Sequence, residues 1–285
     1  MTVVGGRRVA WTEHGDPAGP LVVFLHGIPD SRVGKGYLAE PARARGLRVV
    51  CPDRPGVGRS DPVPGHTIAG YAGQVGGLAR ALGAERYSVL GYSGGGPFAV
   101  ACAAGGDPGL TGVAVVAGLG PLDRPGAGDG LGHGDLHMID LARRSPWRGA
   151  VTLRAEHLVA RLSPGIALRQ VLAGLDEHDR AALDRLGGRS LIDGFVEALR
   201  PGPRGVLAEY ALLGAPWGIR WKSVAVPVHL VQGDADRTIP MHHAEDLAER
   251  LPPDLTTLRR LTGVGHMSVV EHLGEVLDTL VPCRS

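Results

Sequence analysis

Several residue types are scarce or missing in this chain of 285 residues. It contains no asparagine, so it has no N-glycosylation site and no asparagine side chain that could act in catalysis. Lysine occurs only at Lys35 and Lys222, which we attribute to a coding bias rather than to function. The three cysteines, Cys51, Cys102 and Cys283, form an odd and sparse set, which argues against a scaffold of disulfide bonds.

The chain also lacks excess charge and long apolar runs. The 30 lysine and arginine residues nearly balance 29 aspartate and glutamate residues, for a formal net charge of +1. Such a balance offers no electrostatic case for a nucleic acid or an acidic membrane surface as partner. No apolar run approaches the roughly 20 residues that span a bilayer, and residues 1–15 do not resemble a signal peptide. We therefore expect a soluble, cytoplasmic protein, and the sequence leaves its oligomeric state open.

The apolar residues that are present predict an α/β fold. Leu21–Leu25 is an uninterrupted apolar run, which is typical of a parallel strand buried on both faces. Further strands are predicted at 47–51, 87–90 and 113–116, with helices between them, and the same alternation resumes at 226–231.

The middle of the chain breaks this alternation. Residues 121–222 show no buried strand but carry helical faces, such as the one with Ile192 and Phe195. The simplest arrangement is a core formed by residues 1–120 and 223–285, with a helical lid inserted between two of its strands.

One short segment has the pattern of a catalytic nucleophile. Residues 91–95 read GYSGG and fit G-x-S-x-G, with a predicted strand before them and a predicted helix after them. Glycines on both sides allow a sharp strand-to-helix turn that exposes the Ser93 hydroxyl. The N-terminus of the following helix then favours the negative charge that develops in the reaction.

A serine hydroxyl needs a base and an orienting acid to become a nucleophile. His266 follows the last predicted strand in a glycine-flanked loop, and we select it as the base. Three carboxylates compete as the acid: Asp236 and Asp234 after the strand at 226–231, and Asp123 earlier in the chain. We select Asp236, since it lies further out on its loop, and expect Asp234 to brace that loop.

The negative charge of the intermediate needs two backbone N–H donors. We expect one from Gly94, directly after the nucleophile. The other should come from the loop at 26–29, where Ile28 has an N–H group and Pro29 has none. His26 is expected to brace this loop.

Together these segments resemble the α/β-hydrolase superfamily, in its lid-bearing subgroup of small serine hydrolases. The resemblance covers nearly the whole chain except the lid region. It implies a mostly parallel, eight-stranded sheet with the lid inserted after the sixth strand. The matching segments are HGIP at 26–29, DRPGVGRSD at 53–61, GYSGGGP at 91–97, GDAD at 233–236 and GH at 265–266.

The residue at the nucleophile position separates subgroups of this superfamily. Relatives that dehalogenate alkanes or open epoxides carry aspartate there, so Ser93 argues against both activities, although the HGIP loop resembles that of epoxide hydrolases. Proline iminopeptidases usually carry Gly-Gly-Pro-Gly after the first histidine and tryptophan after the nucleophile. Neither feature is present in this chain.

The expected function is hydrolysis of a small or medium carboxylic ester, thioester or lactone, without a cofactor. Two alternatives stay open: the same triad used for acyl transfer, cyclisation or a lyase step in secondary metabolism, and a receptor that retains the triad without turnover. We expect the substrate to contact Tyr92 and the lid residues Met138, Trp147 and Trp217. The histidine-containing segment 133–137 is expected to be a polar lid loop rather than a metal site.

Overall fold

The computed structural model describes residues 1–281, so Cys283 lies outside the described residues. Its strands form a two-stranded hairpin, β1 and β2, and a seven-stranded sheet in the order β3-β5-β4-β6-β7-β8-β9. Within the seven-stranded sheet, as described over residues 1–281, only β3 runs antiparallel to its neighbour. The strands are β1 (Thr2–Val4), β2 (Arg7–Val9), β3 (Trp11–Gly15), β4 (Leu21–Leu25), β5 (Arg48–Pro52), β6 (Tyr87–Tyr92), β7 (Leu110–Val116), β8 (Val228–Gly233) and β9 (Thr256–Leu261).

The mostly parallel α/β architecture is confirmed, but the expected eighth strand does not join the main sheet. Ala10 lies between β2 and β3 and bonds outside the sheet. Its N–H donates to Ser60 Oγ at 3.0 Å, and its carbonyl accepts the Asp53 N–H at 2.8 Å. In β2, the Arg8 N–H donates to Asp61 Oδ2 and the Arg8 carbonyl accepts the Asp61 N–H, both at 2.9 Å, so the backbone of β2 bonds to the loop after β5 and β1 pairs with β2 alone.

Five helices belong to the segments that contain the sheet. Two connect strands on the N-terminal side of the nucleophile, one follows it, and two lie near the C-terminus of the described chain. They are α1 (Ala39–Ala44), α2 (Tyr71–Ala81), α3 (Gly96–Ala104), α10 (His242–Arg250) and α11 (Leu273–Leu280).

Six further helices lie between β7 and β8, and residues 117–227 contain no strand. We call residues 133–213 the helical insertion. Its helices are α4 (His133–Arg144), α5 (Pro146–Leu162), α6 (Pro164–Ala173), α7 (Glu177–Leu186), α8 (Arg189–Ala198) and α9 (Arg204–Leu213). Among the described residues, no helix has both the length and the apolar content needed to cross a membrane.

The apolar run of β4 is explained by two cores, one on each face of the sheet. Alternate side chains of a strand point to opposite faces. Leu21 and Val23 belong to the core that includes α2 and α3, whereas Val22 and Phe24 belong to the core that includes α1 and α11. Because both faces are covered by helices, every residue of this strand is buried.

Candidate active site

The nucleophile candidate lies at a tight turn between β6 and α3. Ser93 has a positive φ of 54°, which is strained for a residue with a side chain. The turn depends on two close backbone approaches. A Cβ at Gly95 would lie 2.1 Å from the Leu25 carbonyl oxygen, and one at Gly91 would lie 2.7 Å from Ala99 Cβ. Larger residues at these two positions would push the turn away from β4 and α3.

The structure brings together the three residues predicted to act as nucleophile, base and acid. Ser93, Asp236 and His266 follow the carboxyl ends of β6, β8 and β9, which meet at the same edge of the parallel sheet. His266 Nε2 lies 3.0 Å from Ser93 Oγ, and His266 Nδ1 lies 2.8 Å from Asp236 Oδ2. All three side chains are largely buried. This geometry suits transfer of the serine proton to the imidazole.

The Asp236 carboxylate faces four hydrogen-bond donors. Its Oδ1 accepts the N–H groups of Thr238 and Ile239, both at 2.8 Å. Its Oδ2 accepts from Gln232 Nε2 at 3.0 Å and faces His266 Nδ1. Oδ2 is thus placed to accept a hydrogen bond from Nδ1 of the imidazole. It therefore favours the tautomer with the proton on Nδ1, which leaves the Nε2 lone pair toward Ser93.

The electrostatic surroundings raise the pKa of His266 above its ordinary value. Burial opposes this shift, because it disfavours the charged imidazolium. The negative charge and hydrogen bond of Asp236 outweigh burial, and Asp135 and Asp179 add to the effect. An imidazole with a raised pKa is a stronger base toward the serine hydroxyl.

The two competing carboxylates are occupied elsewhere. Asp234 Oδ1 accepts the Gly263 N–H at 2.8 Å, so it links the loops after β8 and β9, as predicted. Asp123 forms a bidentate ion pair with Arg250, at 2.6 and 3.0 Å. Neither carboxylate contacts the imidazole.

The loop that was predicted to supply the second N–H donor lies against the nucleophile turn. A Cβ at Gly27 would be 3.4 Å from Ser93 Cβ, and one at Gly94 would be 3.0 Å from the Ile28 side chain. Within residues 1–281, the Ile28 N–H donates no hydrogen bond to the protein. His26 is fully buried, and its Nδ1 lies 2.8 Å from the Gly27 carbonyl, which fits the predicted bracing role.

A buried ion pair, which the sequence did not reveal, fixes this loop. The guanidinium of Arg54 donates to the carbonyls of His26 at 2.5 Å and Gly27 at 2.9 Å. It also pairs with Glu209 of α9 at 2.5 Å, and both side chains are almost completely buried. The pair thus connects the helical insertion to the loop that carries Ile28. Arg54 lies within the DRPGVGRSD segment, but nothing in the sequence indicated its partner.

A second carboxylate of the helical insertion holds the loop that carries the base. Asp179, on α7, is buried and accepts four hydrogen bonds from three consecutive residues. Its Oδ2 accepts the His266 N–H at 2.9 Å. Its Oδ1 accepts the N–H groups of Met267 at 3.0 Å and Ser268 at 2.9 Å, and the Ser268 hydroxyl at 3.0 Å. A lone aspartate on a helix carries no sequence signal for such a role, so this contact was missed.

A cavity of about 570 Å³ opens beside Ser93 and runs under the helical insertion. Its lining is mostly apolar, and most of the apolar side chains belong to the helical insertion. Met138, which was expected to contact the substrate, is part of this lining. The Tyr92 ring also lines the cavity, while its hydroxyl donates to the His266 carbonyl at 2.9 Å. Apolar lining residues include Ile28, Pro29, Met138, Ala160, Ala167, Val171, Leu175, Leu191, Ile192 and Phe195.

Two tryptophans that were expected at this cavity lie elsewhere. Trp217 is 5% exposed, packs against Trp221 and donates from Nε1 to the Leu213 carbonyl at 3.3 Å, so it belongs to the apolar core. Trp147 is 71% exposed at the start of α5 and does not line the cavity. Both predictions are wrong: Trp217 lies in the irregular segment after α9 and packs into the core, and Trp147 lies on an exposed face of α5.

Asp135 is a carboxylate of the insertion that lines the same cavities as Ser93. It lines the large cavity and also a small one of about 20 Å³ that contains Ser93, Gly94 and Ile28. Its Oδ1 accepts the Tyr210 hydroxyl at 3.0 Å. Burial raises the pKa of Asp135, although the hydrogen bond from Tyr210 opposes the shift. Among residues 1–281, no group of three or more histidine, cysteine, aspartate or glutamate side chains is arranged to hold a metal ion.

Comparison with known proteins supports this description of the fold. A probable oxidoreductase, EphD, of Mycobacterium tuberculosis is 32% identical over 172 residues, which represent 55% of this chain but only 26% of EphD. The chain thus matches about a quarter of that relative. Epoxide hydrolase A of the same organism is 23% identical over 322 residues, covering 97% of this chain and 94% of the relative.

A solved structure has the same fold along almost the entire chain. The thermophilic esterase from Thermogutta terrifontis is 22% identical, with a TM-score of 0.66 and coverage of 98% of this chain and 95% of the esterase. The model of the alpha/beta hydrolase family matches residues 22–279, which include the nucleophile turn, the helical insertion and the loops after β8 and β9. The chain therefore belongs to the alpha/beta hydrolase family of enzymes.

Proposed function

We propose that this protein is a serine hydrolase that cleaves a carboxylic ester, thioester or lactone through an acyl-enzyme. The observation that carries this proposal is the hydrogen-bonded series from Ser93 Oγ through His266 to Asp236, at 3.0 and 2.8 Å, beside a large cavity. Such a series activates a serine hydroxyl whatever the fold that presents it.

In the first half of the reaction, Ser93 Oγ attacks the carbonyl carbon while His266 Nε2 accepts the hydroxyl proton. The carbonyl oxygen becomes negatively charged and is stabilised by the N–H groups of Ile28 and Gly94. Asp236 holds the imidazole in place and stabilises its positive charge. The intermediate collapses, the bond to the leaving alcohol or thiol breaks, and His266 gives the proton to that leaving group.

In the second half, water enters beside the acyl-enzyme. His266 accepts a proton from the water, and the resulting hydroxide attacks the acyl carbon. Collapse of the second intermediate releases the carboxylic acid and returns the proton to Ser93 Oγ. No group other than the three side chains and the two backbone donors is needed for this sequence of steps.

The two cavities suggest the shape of the substrate. The larger, of about 570 Å³, is in the size range of small-molecule sites, and the smaller, of about 20 Å³, has room for little more than one water molecule. Ser93 lines both. A carbonyl bound there would carry one extended, mainly apolar substituent and one short substituent. Asp135 disfavours substrates with a carboxylate next to the reacting carbon, because like charges repel.

The chemistry of the nucleophile favours esters over epoxides. If a serine opened an epoxide, it would form an ether, which has no carbonyl carbon for water to attack. An aspartate in that position would form an ester, which water can hydrolyse. Ser93 therefore supports acyl chemistry in this chain, even though a relative over its full length is named an epoxide hydrolase.

We also propose that the helical insertion acts as a lid. It supplies most of the apolar lining of the large cavity and is bonded to the core by Asp179 and Glu209. Movement of these helices would control entry of the substrate and exclude water during the reaction.

The proposal is tested with the purified chain and p-nitrophenyl butyrate. We expect turnover, and we expect intact-mass detection of one covalent adduct after treatment with a fluorophosphonate. Ser93→Ala should lose turnover by roughly 10⁴–10⁶ and form no adduct. Ser223→Ala, which changes an exposed serine, is the matched control and should behave as the unsubstituted chain.

Two outcomes would contradict the proposal. One is turnover that survives in Ser93→Ala at the same level, since another group would then be the nucleophile. The other is the absence of both turnover and adduct in a folded chain. Product analysis with added butanol distinguishes hydrolysis from transfer, because a transferase would yield the butyl ester as the main product.

A further inference from the structure

The outer face of α5 is an exposed apolar stripe that the proposed function does not use. Four large apolar residues recur along the helix at spacings of four, seven and four residues, which places them on one side of an α-helix. Their side chains extend over about 22 Å of helix at 1.5 Å per residue. They are Trp147, Val151, Leu158 and Leu162, with exposures of 71%, 57%, 56% and 74%.

The opposite face of the same helix is already occupied. Gly149, Leu153 and Ala160 are buried, and Ala160 lines the active-site cavity. A Cβ at Gly149 would lie 2.7 Å from a methyl group of Leu207, so the inner face is closely packed. Packing within the monomer therefore explains the inner apolar face of α5 but not the outer one.

Arginines lie on both sides of the outer stripe. By the helical period, Arg154 and Arg161 flank it on one side and Arg148 on the other. All three are exposed, and in the part of the chain that the structure describes none of them forms an ion pair. The only acidic residue of α5 is Glu156, which is exposed but lies on the side of the helix away from the stripe and also lines the cavity.

We propose that this face of α5 docks onto an anionic lipid surface. Apolar side chains on one face of a helix enter the boundary between headgroups and acyl chains, and flanking arginines bind the lipid phosphates. Tryptophan is suited to this boundary, because its ring is apolar and its N–H is polar. The flexible stems of the arginines allow their charged groups to stay in the polar layer.

The charges of the stripe favour a lipid surface over a second copy of the chain. A two-fold contact would place the same surface on both copies, so arginines of one helix would approach arginines of the other. Like charges across such a contact are unfavourable, and the one carboxylate of α5, Glu156, lies on the side of the helix away from the stripe and so does not offset them. The near-zero net charge of the whole chain does not reveal this feature, because the positive charge is concentrated locally in the three arginines beside the stripe.

The docking carries a consequence for the site below the helix. α5 separates the outer stripe from the cavity that contains Ser93, so a docked molecule would hold the cavity close to the lipid surface. Apolar compounds dissolved in the lipid would then have a short path to the site. The docking itself does not depend on ester hydrolysis, so its test is independent of the proposed function.

The test measures cosedimentation of the full chain with vesicles of phosphatidylcholine alone or of phosphatidylcholine mixed with phosphatidylglycerol. We expect binding to the mixed vesicles that weakens as salt is added. Leu158→Ser combined with Leu162→Ser should weaken binding about tenfold or more. Leu258→Ser, at an exposed leucine of β9, is the matched control and should leave binding unchanged.

The charge contribution is tested separately. Replacing Arg148, Arg154 and Arg161 by glutamine should remove the preference for anionic vesicles, by about fivefold per arginine. Arg86→Gln, at an exposed arginine outside the helical insertion, is the control. Each variant should retain the melting temperature and the turnover of a water-soluble ester, because none of these residues lines the cavity.

Three results would overturn the proposal. The first is a lack of binding to anionic vesicles at low salt by the unsubstituted chain. The second is binding that the leucine substitutions leave unchanged. The third is a dimer, detected by light scattering without vesicles, that the leucine substitutions convert into a monomer, since the stripe would then be an interface between two copies.

Discussion

Asp179→Asn tests whether the helical insertion positions the catalytic base. In the native chain this carboxylate accepts the N–H groups of His266, Met267 and Ser268 and the Ser268 hydroxyl, at 2.9 to 3.0 Å. Asparagine has nearly the same shape but only one acceptor oxygen. If that oxygen replaces Oδ1, the amide NH₂ group faces the His266 N–H, so two donors oppose each other.

The size of the effect follows from these contacts. Leaving the buried His266 N–H without an acceptor costs about 1–3 kcal/mol, and the other three bonds lose the strength that a charged acceptor gives them. We expect the free energy of unfolding to fall by about 3 kcal/mol. For a chain of this size the melting temperature should fall by roughly 6–12 °C.

Activity should respond in a way that lost stability alone does not explain. A shift of the imidazole by about 1 Å can lower turnover by around 10²-fold, so kcat should fall by about 10- to 100-fold while KM changes less. Asp179 is also one of the groups that raise the pKa of His266. Its neutralisation should lower that pKa, so the base form persists to lower pH and the acidic limb of the kcat profile moves down.

The experiment compares thermal melts and pH profiles of kcat for Asp179→Asn and Asp184→Asn. Asp184 lies on the same helix and is exposed, so its variant controls for a change of charge on α7. A variant at Asp179 that melts earlier but keeps the original kcat and the original acidic limb would refute the reasoning. The carboxylate would then stabilise the fold without positioning the base.

Three further predictions concern the remaining contacts of the site. Because the pKa of His266 is raised and only the neutral imidazole accepts a proton, kcat should fall as pH drops through a value above the ordinary 6.5 or so, and a midpoint below that value would contradict the assignment. Asp236→Asn should lower kcat by about 10⁴, whereas Asp234→Asn should lower it far less; equal losses would mean that Asp236 does not set the tautomer. Glu209→Gln leaves Arg54 buried without a counter-charge, so unfolding should become easier by about 3 kcal/mol in denaturant titrations, and an unchanged midpoint would show that the pair contributes little.

The sequence carried enough information to single out the nucleophile turn and the strands around it, because their determinants are local. A strand buried on both faces needs an uninterrupted apolar run, and Leu21–Leu25 shows one directly. The turn needs small residues where the backbone approaches its neighbours, and the glycines around Ser93 are visible without any coordinates. The order of serine, aspartate and histidine along the chain then narrowed the choice of partners.

The number of strands in the main sheet was harder to predict from the sequence. The separation of the N-terminal hairpin from the main sheet depends on the bonds that Arg8 and Ala10 make with Asp61 and Ser60 of the loop after β5. The bonded residues are distant in sequence, so no local sequence pattern predicts that the hairpin separates from the main sheet.

What the sequence by itself determined is the α/β class, the apolar strands and the residues that follow their carboxyl ends, since each of these depends on neighbours along the chain. Only the tertiary structure decided that Asp179 and Glu209 bind the loops of the site, and that Trp147 faces outward while Met138 faces the cavity. The physical reason is that a helix pattern shows which residues share a face, whereas the orientation of that face depends on the packing of all the helices around it.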